Sequence, residues 1–159
     1  MKDEDQAVRA EWSGPLHNDP SFLSRIEEVS ARHLARMKEI VEAHGWPGKS
    51  LAGEDGAHAA WLLAQHADGD PGFQKRCLAL MEPGLALGEV RSLEVAYLTD
   101  RILIREDRPQ RYGTQHRWEN GAMVPFPIED EADVDRRRRE AGLSPLAEYS
   151  RRLNERSGE

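Results

Sequence analysis

Three short stretches carry side chains that could do chemistry. The first is Gln65-His66-Ala67-Asp68. His66 follows Leu62 by four positions and Leu63 by three, at the end of the most apolar helical stretch in the chain. An imidazole titrates near neutral pH and can take up or release a proton at working pH. Asp68, just past the expected helix end, could turn back to orient the ring or simply sit in the turn. The second stretch is Tyr97-Leu98-Thr99-Asp100-Arg101. On a helix, Leu93, Ala96, Asp100 and Leu103 share one face, so a carboxylate lies on an apolar surface. That placement is costly unless the charge is paired. Asp100 is then either a buried ion pair or capping group, or a carboxylate held in a cleft with a shifted pKa. Arg101, beside Tyr97 and Ile104, suits a carboxylate or an anionic ligand. The third stretch is Gln110-Arg111-Tyr112-Gly113-Thr114-Gln115. As a strand it puts an amide, a phenol and a hydroxyl in a row on one side, from Gln110, Tyr112 and Thr114. Gly113 leaves room for another backbone or a ligand. The alternative is a polar strand that satisfies helix ends and the buried Asp100.

Other chemistries find little support. The six histidines, His17, His33, His44, His58, His66 and His116, form no HExxH pair and no Cys/His cluster. His58 and His66 could share a helix face with Asp68 near its end, but that spacing is unspecific, so no metal is expected. Gly45, Gly48, Gly53 and Gly56 are scattered and follow no strand, so no phosphate loop is expected. No serine sits in a G-x-S-x-G setting. No cofactor is implied. The lone Cys77 lies among Leu78, Leu80 and Met81 and reads as a core thiol.

These residues must be held by a mainly α fold of about five to six helices with one β-hairpin. A short helix is expected from Asp3 to Trp12, broken at Ser13-Gly14-Pro15. Asp19-Pro20 then supplies a cap and a first-turn proline. Phe22, Ile26, Val29, His33, Met37, Ile40 and His44 recur at helical spacing up to Gly45. Further helices are expected over about 54–67, 71–88 (kinked or split at Pro83-Gly84) and 92–104. The hairpin falls at about 110–125, with an Asn120-Gly121 turn. Asp130 is expected to cap a helix to Ala141, and Ser144-Pro145 to start a last one to about Asn154.

The 159 residues suit a single domain over 1–159. Net charge is −7, which repels phosphate backbones and anionic membranes. Neither nucleic acid nor membrane is an expected partner. Arg136-Arg137-Arg138-Arg139 follows an acidic run and reads as the basic end of a helix. The charged start carries no leader pattern, which points to the cytoplasm. No heptad run is long enough to argue a coiled-coil dimer.

Set together, these motifs resemble those of a bacterial domain-of-unknown-function family, the one numbered 6624. The resemblance rests on Asp5-Gln6 with Arg9, Gly45-Trp46-Pro47, Gln65-His66-Ala67-Asp68, Tyr97 to Arg101, Gln110 to Gln115, Pro127-Ile128-Glu129-Asp130, Val134-Asp135-x-Arg137-Arg138 and Gly142-Leu143. It spans nearly the whole chain and is most specific at Tyr112-Gly113-Thr114-Gln115. It implies a shared fold and site rather than a reaction. Two features depart from the family pattern: members usually have a longer first helix, and Pro83-Gly84 interrupts a helix that looks continuous in relatives.

The series falls mostly on polar residues, which favours a site. The leading expectation is a small cofactor-independent enzyme, a hydrolase or group-transfer enzyme, acting on a small polar molecule or peptide. His66 is the candidate base or acid, oriented by Asp68 or Asp100. Gln65, Arg101, Gln110, Tyr112, Thr114, Gln115 and Arg137 are candidates for substrate binding. The alternatives are a non-catalytic binding module and a purely structural polar network.

Overall fold

The structure is a computed structural model that describes residues 1–11 and 19–157. The fold is mainly α, with seven α-helices and one two-stranded antiparallel hairpin among the described residues. The chain divides into two compact units, Met1–Val90 and Arg91–Glu159. Among the described residues, no helix is long and apolar enough to cross a membrane.

The first unit holds α1 (Lys2–Ala10), α2 (Pro20–His44), α3 (Lys49–Gln65) and α4 (Pro71–Leu85). Helix α1 carries Asp3, Glu4 and Asp5 in its first turn, where they suit the helix dipole. The expected break at 13–15 lies outside the described residues. Asp19 caps α2 as its sequence predicts, accepting from the backbone N–H of Ser21 (2.8 Å) and Phe22 (3.2 Å). Gly45 ends that helix at φ +72°. Val8 of α1 packs with Phe22 and Ile26 of α2, and Val29 lies against the three.

Helix α3 begins earlier than expected. A first turn from Lys49 is broken at Gly53 (φ +71°), and the longer stretch starts at Glu54. No side chain at Gly48 caps that first turn. Glu89 does so from the far end of the unit, accepting from Ser50 N–H at 2.8 Å and from the Ser50 hydroxyl. Helix α4 does not split at Pro83. It runs through the proline and ends at Leu85, short of the expected Gly88. Pro83 lies close to the end of the helix, where a missing backbone donor costs little continuity.

The second unit holds α5 (Ser92–Arg105), β1 (His116–Glu119), β2 (Ala122–Pro125), a 3-10 turn (Glu131–Asp133), α6 (Val134–Glu140) and α7 (Leu146–Ser157). The hairpin register pairs Arg117 with Val124 and Trp118 with Met123. Both turn residues, Asn120 and Gly121, have positive φ, as a tight two-residue turn requires. A two-stranded ribbon is marginal alone, and α7 supports it. The Asn154 amide receives the Met123 N–H (2.7 Å) and donates to the Met123 carbonyl (3.0 Å). Two expectations need correction. The segment 110–115 is not a strand, and β1 starts only at His116. Asp130 makes no side-chain cap; it adopts φ +45° ahead of the 3-10 turn.

Phe22→Ala removes the largest side chain joining α1 to α2. It is expected to cost about 3–5 kcal/mol, read as a fall in the urea midpoint at unchanged slope. A loss under about 1 kcal/mol would show that α1 is docked by other means.

Candidate functional site

Helix α1 folds back so that Asp5, only 1% exposed, meets His66 at the C-terminal end of α3. The Nδ1 atom of His66 lies 2.7 Å from Oδ2 of Asp5. Gln6 donates to the same oxygen at 3.0 Å, and Nε of Arg9 donates to Oδ1 at 2.9 Å. Burial pushes the Asp5 carboxyl up. The hydrogen bond and charge of His66, then those of Arg9, outweigh it and hold the group at about 2. The His66 side chain keeps 17% of its surface, and its Nε2 has no hydrogen-bond partner among the described residues. One residue earlier, Glu4 reaches α2, with Oε2 at 2.9 Å from Nε2 of His33 and a contact to Arg32. Two neighbouring carboxylates therefore fasten α1, one to α2 and the other to the end of α3.

The carboxylate on Nδ1 of His66 is Asp5, not one of the two expected orienting groups. Asp68 instead lies 3.5 Å from Nε2 of Gln74. Gln74 is fully buried, and the same amide donates to the carbonyls of Ala64 (3.2 Å) and Gln65 (3.1 Å), closing the end of α3. Gln65 is also buried, and its side-chain oxygen is sealed without a partner. His58 stacks on Trp61, with ring centroids 5.2 Å apart. Among the described residues no group of three His, Cys, Asp or Glu is placed to hold a metal.

In the second unit Asp100 is fully buried on α5, beside the buried Ala96 and Leu103, as the helical face predicts. Its partners are backbone N–H groups and one hydroxyl. Oδ1 accepts from the N–H of Arg111 (2.7 Å) and Tyr112 (3.1 Å). Oδ2 accepts from the N–H of Thr114 (2.9 Å) and from its hydroxyl (2.9 Å). Burial pushes the Asp100 carboxyl up, and the donors of Thr114, Arg111 and Tyr112 pull against that. Gln110, also fully buried, donates to the carbonyls of Gln115 and Phe126 (both 2.9 Å) and accepts from Gln115 N–H (2.9 Å).

Gly113 sits at φ +64°. A Cβ there would meet Leu146 Cδ1 at 2.7 Å and Ile128 Cδ1 at 3.0 Å, so packing fills the space the glycine leaves. Nε of Arg137 donates to the carbonyl of Arg111 at 2.8 Å, and its Nη2 reaches the carbonyls of Glu129 and Asp130. Gln115 donates to the Thr114 hydroxyl at 3.1 Å. Tyr112 and Arg101 are half-buried. The arginine run is only partly a solvated face. Arg136 and Arg139 are exposed, while Arg138 is 1% exposed.

The sequence reading counts Asp5 and Arg138 among the motif residues but gives neither of them, nor Gln74, a role in the site. A signal for Asp5 exists: it lies three residues before Val8, on the buried face of α1, just as Asp100 lies on the buried face of α5.

The chain belongs to a family of unknown function (DUF6624), whose model matches residues 1–159. Neither a curated protein nor a solved structure matches it.

Asp100→Asn turns an amide donor toward donors and strands buried N–H groups. It is expected to lose about 3 kcal/mol, read from the urea midpoint. A variant as stable as the wild type would show that the carboxylate is kept at a cost to folding. Asp5 behaves differently with pH. Its folded value of about 2 lies below the ordinary 3.8, so its contribution is full above that value and fades as the pH falls toward 2. Asp5→Asn is therefore expected to cost about 2 kcal/mol near neutral pH. The gap between variant and wild type should close in acid, and a gap constant with pH would refute the assignment.

Proposed function

We propose that the chain is a small cofactor-independent enzyme, a hydrolase or group-transfer enzyme, with His66 as its proton-transferring group and Asp5 as the residue that orients it. The observation that carries this reading is the 2.7 Å contact between Nδ1 of His66 and a carboxylate that is itself buried and doubly held by Arg9 and Gln6. A carboxylate on Nδ1 keeps the proton there. It presents the Nε2 lone pair outward and stabilises the imidazolium that forms when that nitrogen takes a proton.

In a hydrolysis, Nε2 would take a proton from water as the water oxygen bonds to the substrate's acyl carbon. The same proton would then go to the leaving nitrogen or oxygen as its bond to carbon breaks. The buried thiol of Cys77, pushed up to about 12 by burial, leaves the imidazole as the better candidate for the reacting group. It also fits the reduced cytoplasm of a bacterium as the setting.

A second reading is favoured for the other unit by a different observation. Asp100, Gln110, Thr114 and Arg137 spend their hydrogen bonds on the 110–115 segment and its neighbours. They support a structural network there, in place of the orienting role expected of Asp100 and the substrate-binding roles expected of Gln110, Thr114 and Arg137.

Nitrogen NMR of the His66 ring tests the base directly. The neutral ring is expected as the Nδ1–H tautomer in the wild type and as the commoner Nε2–H form in Asp5→Asn. A wild-type ring in the Nε2–H form removes the proposed base. Once amide, ester and phosphoester substrates have been screened for turnover, His66→Ala should lower kcat by about a hundredfold or more. Undiminished turnover would also overturn the reading.

A further inference from the structure

Arg138 is the largest fully buried side chain among the described residues. Its Nε donates to the Ser144 carbonyl (2.6 Å), and Nη1 to the carbonyls of Tyr112 (2.5 Å) and Gly113 (3.2 Å). The guanidinium carbon stands 5.1 Å from the centre of the Tyr149 ring. Among the described residues Arg138 makes no ion pair, and Nη2 has no hydrogen-bond partner. Nor is Nη2 among the sealed atoms that lack one, so it remains open. Burial lowers the pKa of this guanidinium, and the charges of Asp135 and Asp100 oppose that from a distance. A buried cation whose direct partners are carbonyls and an aromatic ring still lacks a carboxylate in contact with it.

Arg138 forms part of the wall of a cavity of about 450 Å³ within the second unit. Leu93, Leu143, Leu153 and Tyr97 give that wall an apolar side, and Arg152 adds a second cation. Arg152 is partly engaged, by Glu148 at 3.3 Å and by the Ser144 hydroxyl. No acidic side chain lines the cavity.

We propose that this cavity binds a small organic carboxylate, with its anionic end on Nη2 of Arg138 and its apolar body against Leu93, Leu143 and Leu153. The volume lies within the range of small-molecule sites, which pair an apolar lining with a few polar anchors. One carboxylate neutralises one buried guanidinium. A phosphate dianion would bring an excess negative charge into a wall with a single cation that makes no ion pair. The site stands apart from the His66 reading and neither requires nor excludes it.

Titration calorimetry tests the proposal with three probes: phenylacetate, its neutral isostere phenylacetamide, and inorganic phosphate. Phenylacetate is expected to bind at least about tenfold more tightly than the amide, and more tightly than phosphate. Leu153→Trp, which fills the cavity, should abolish binding with helicity unchanged by circular dichroism. Arg138→Gln should erase the preference for acid over amide. If Arg138→Gln fails to fold, the acid-to-amide ratio and Leu153→Trp decide. The proposal is overturned if acid and amide bind alike, if phosphate binds more tightly than the acid, or if Leu153→Trp binds as wild type does. It is also overturned if phenylacetate shows no binding up to about 10 mM.

Discussion

A charge taken out of water must be answered by donors or by an opposite charge, and the second unit is organised around one such debt. Asp100 sits on an apolar helix face with no cation within ion-pairing distance among the described residues. The answer comes from main chain: the N–H groups of Arg111, Tyr112 and Thr114 converge on it. Three donors from four consecutive residues can reach one carboxylate only if the backbone curls, and Gly113 at φ +64° makes the curl. The carbonyls of the same segment then point away from the anion, and Arg138 and Arg137 collect them on that side. The loop is held between an anion on its N–H side and cations on its carbonyl side. Each peptide group is oriented by both, so the segment resists flattening into the strand that its alternating pattern suggests.

The first unit meets the same constraint with side chains instead of backbone. Asp5 is as buried as Asp100, yet its partners are an imidazole, a guanidinium and a carboxamide. The difference matters for chemistry. Backbone N–H groups can only donate, so a carboxylate satisfied by them is finished as a reactive group. An imidazole held by one nitrogen still has the other. The two acids also move in opposite directions: Asp5 is held low by charged partners, while Asp100 is pushed up because neutral donors only partly offset its burial. Reactivity is therefore argued at the pair whose partner can itself exchange a proton.

What the sequence made legible divides along physical lines. Element boundaries set by caps, prolines and glycines, such as Asp19-Pro20, Gly45 and the hairpin turn Asn120-Gly121, are local, and they stand where the spacing predicts. The burial of Asp100 was legible because helical periodicity places it among apolar neighbours. Its partners were not, since backbone donors carry no residue-type signal. The alternation of Gln110, Tyr112 and Thr114 suggested a strand because a period of two cannot distinguish a pleat from a curl around an anion. The pairing of Asp5 with His66 spans sixty-one residues, and no local pattern encodes a contact of that separation. Even so, the rule that singled out Asp100 applies to Asp5 through Val8. Glu89 capping Ser50 is another distant contact of this kind.

The arginine run shows how far composition can mislead about a site. Four consecutive arginines after an acidic stretch read as one solvated helix end, and Arg136 behaves that way, pairing with Asp133 and Glu140. A seven-residue helix turns through about 100° per residue, so four neighbours cannot all face water when the helix packs on one side. The third of them turns fully inward and the second partly, and these two hold the 110–115 carbonyls. In a chain with a net charge of −7, most excess carboxylates are screened at the surface. An inward cation without a carboxylate in contact with it is the exception, because its direct partners must be dipoles or come from outside the chain. Carbonyl dipoles answer Nε and Nη1 of Arg138 and leave Nη2, and that remainder is what an anionic ligand would complete.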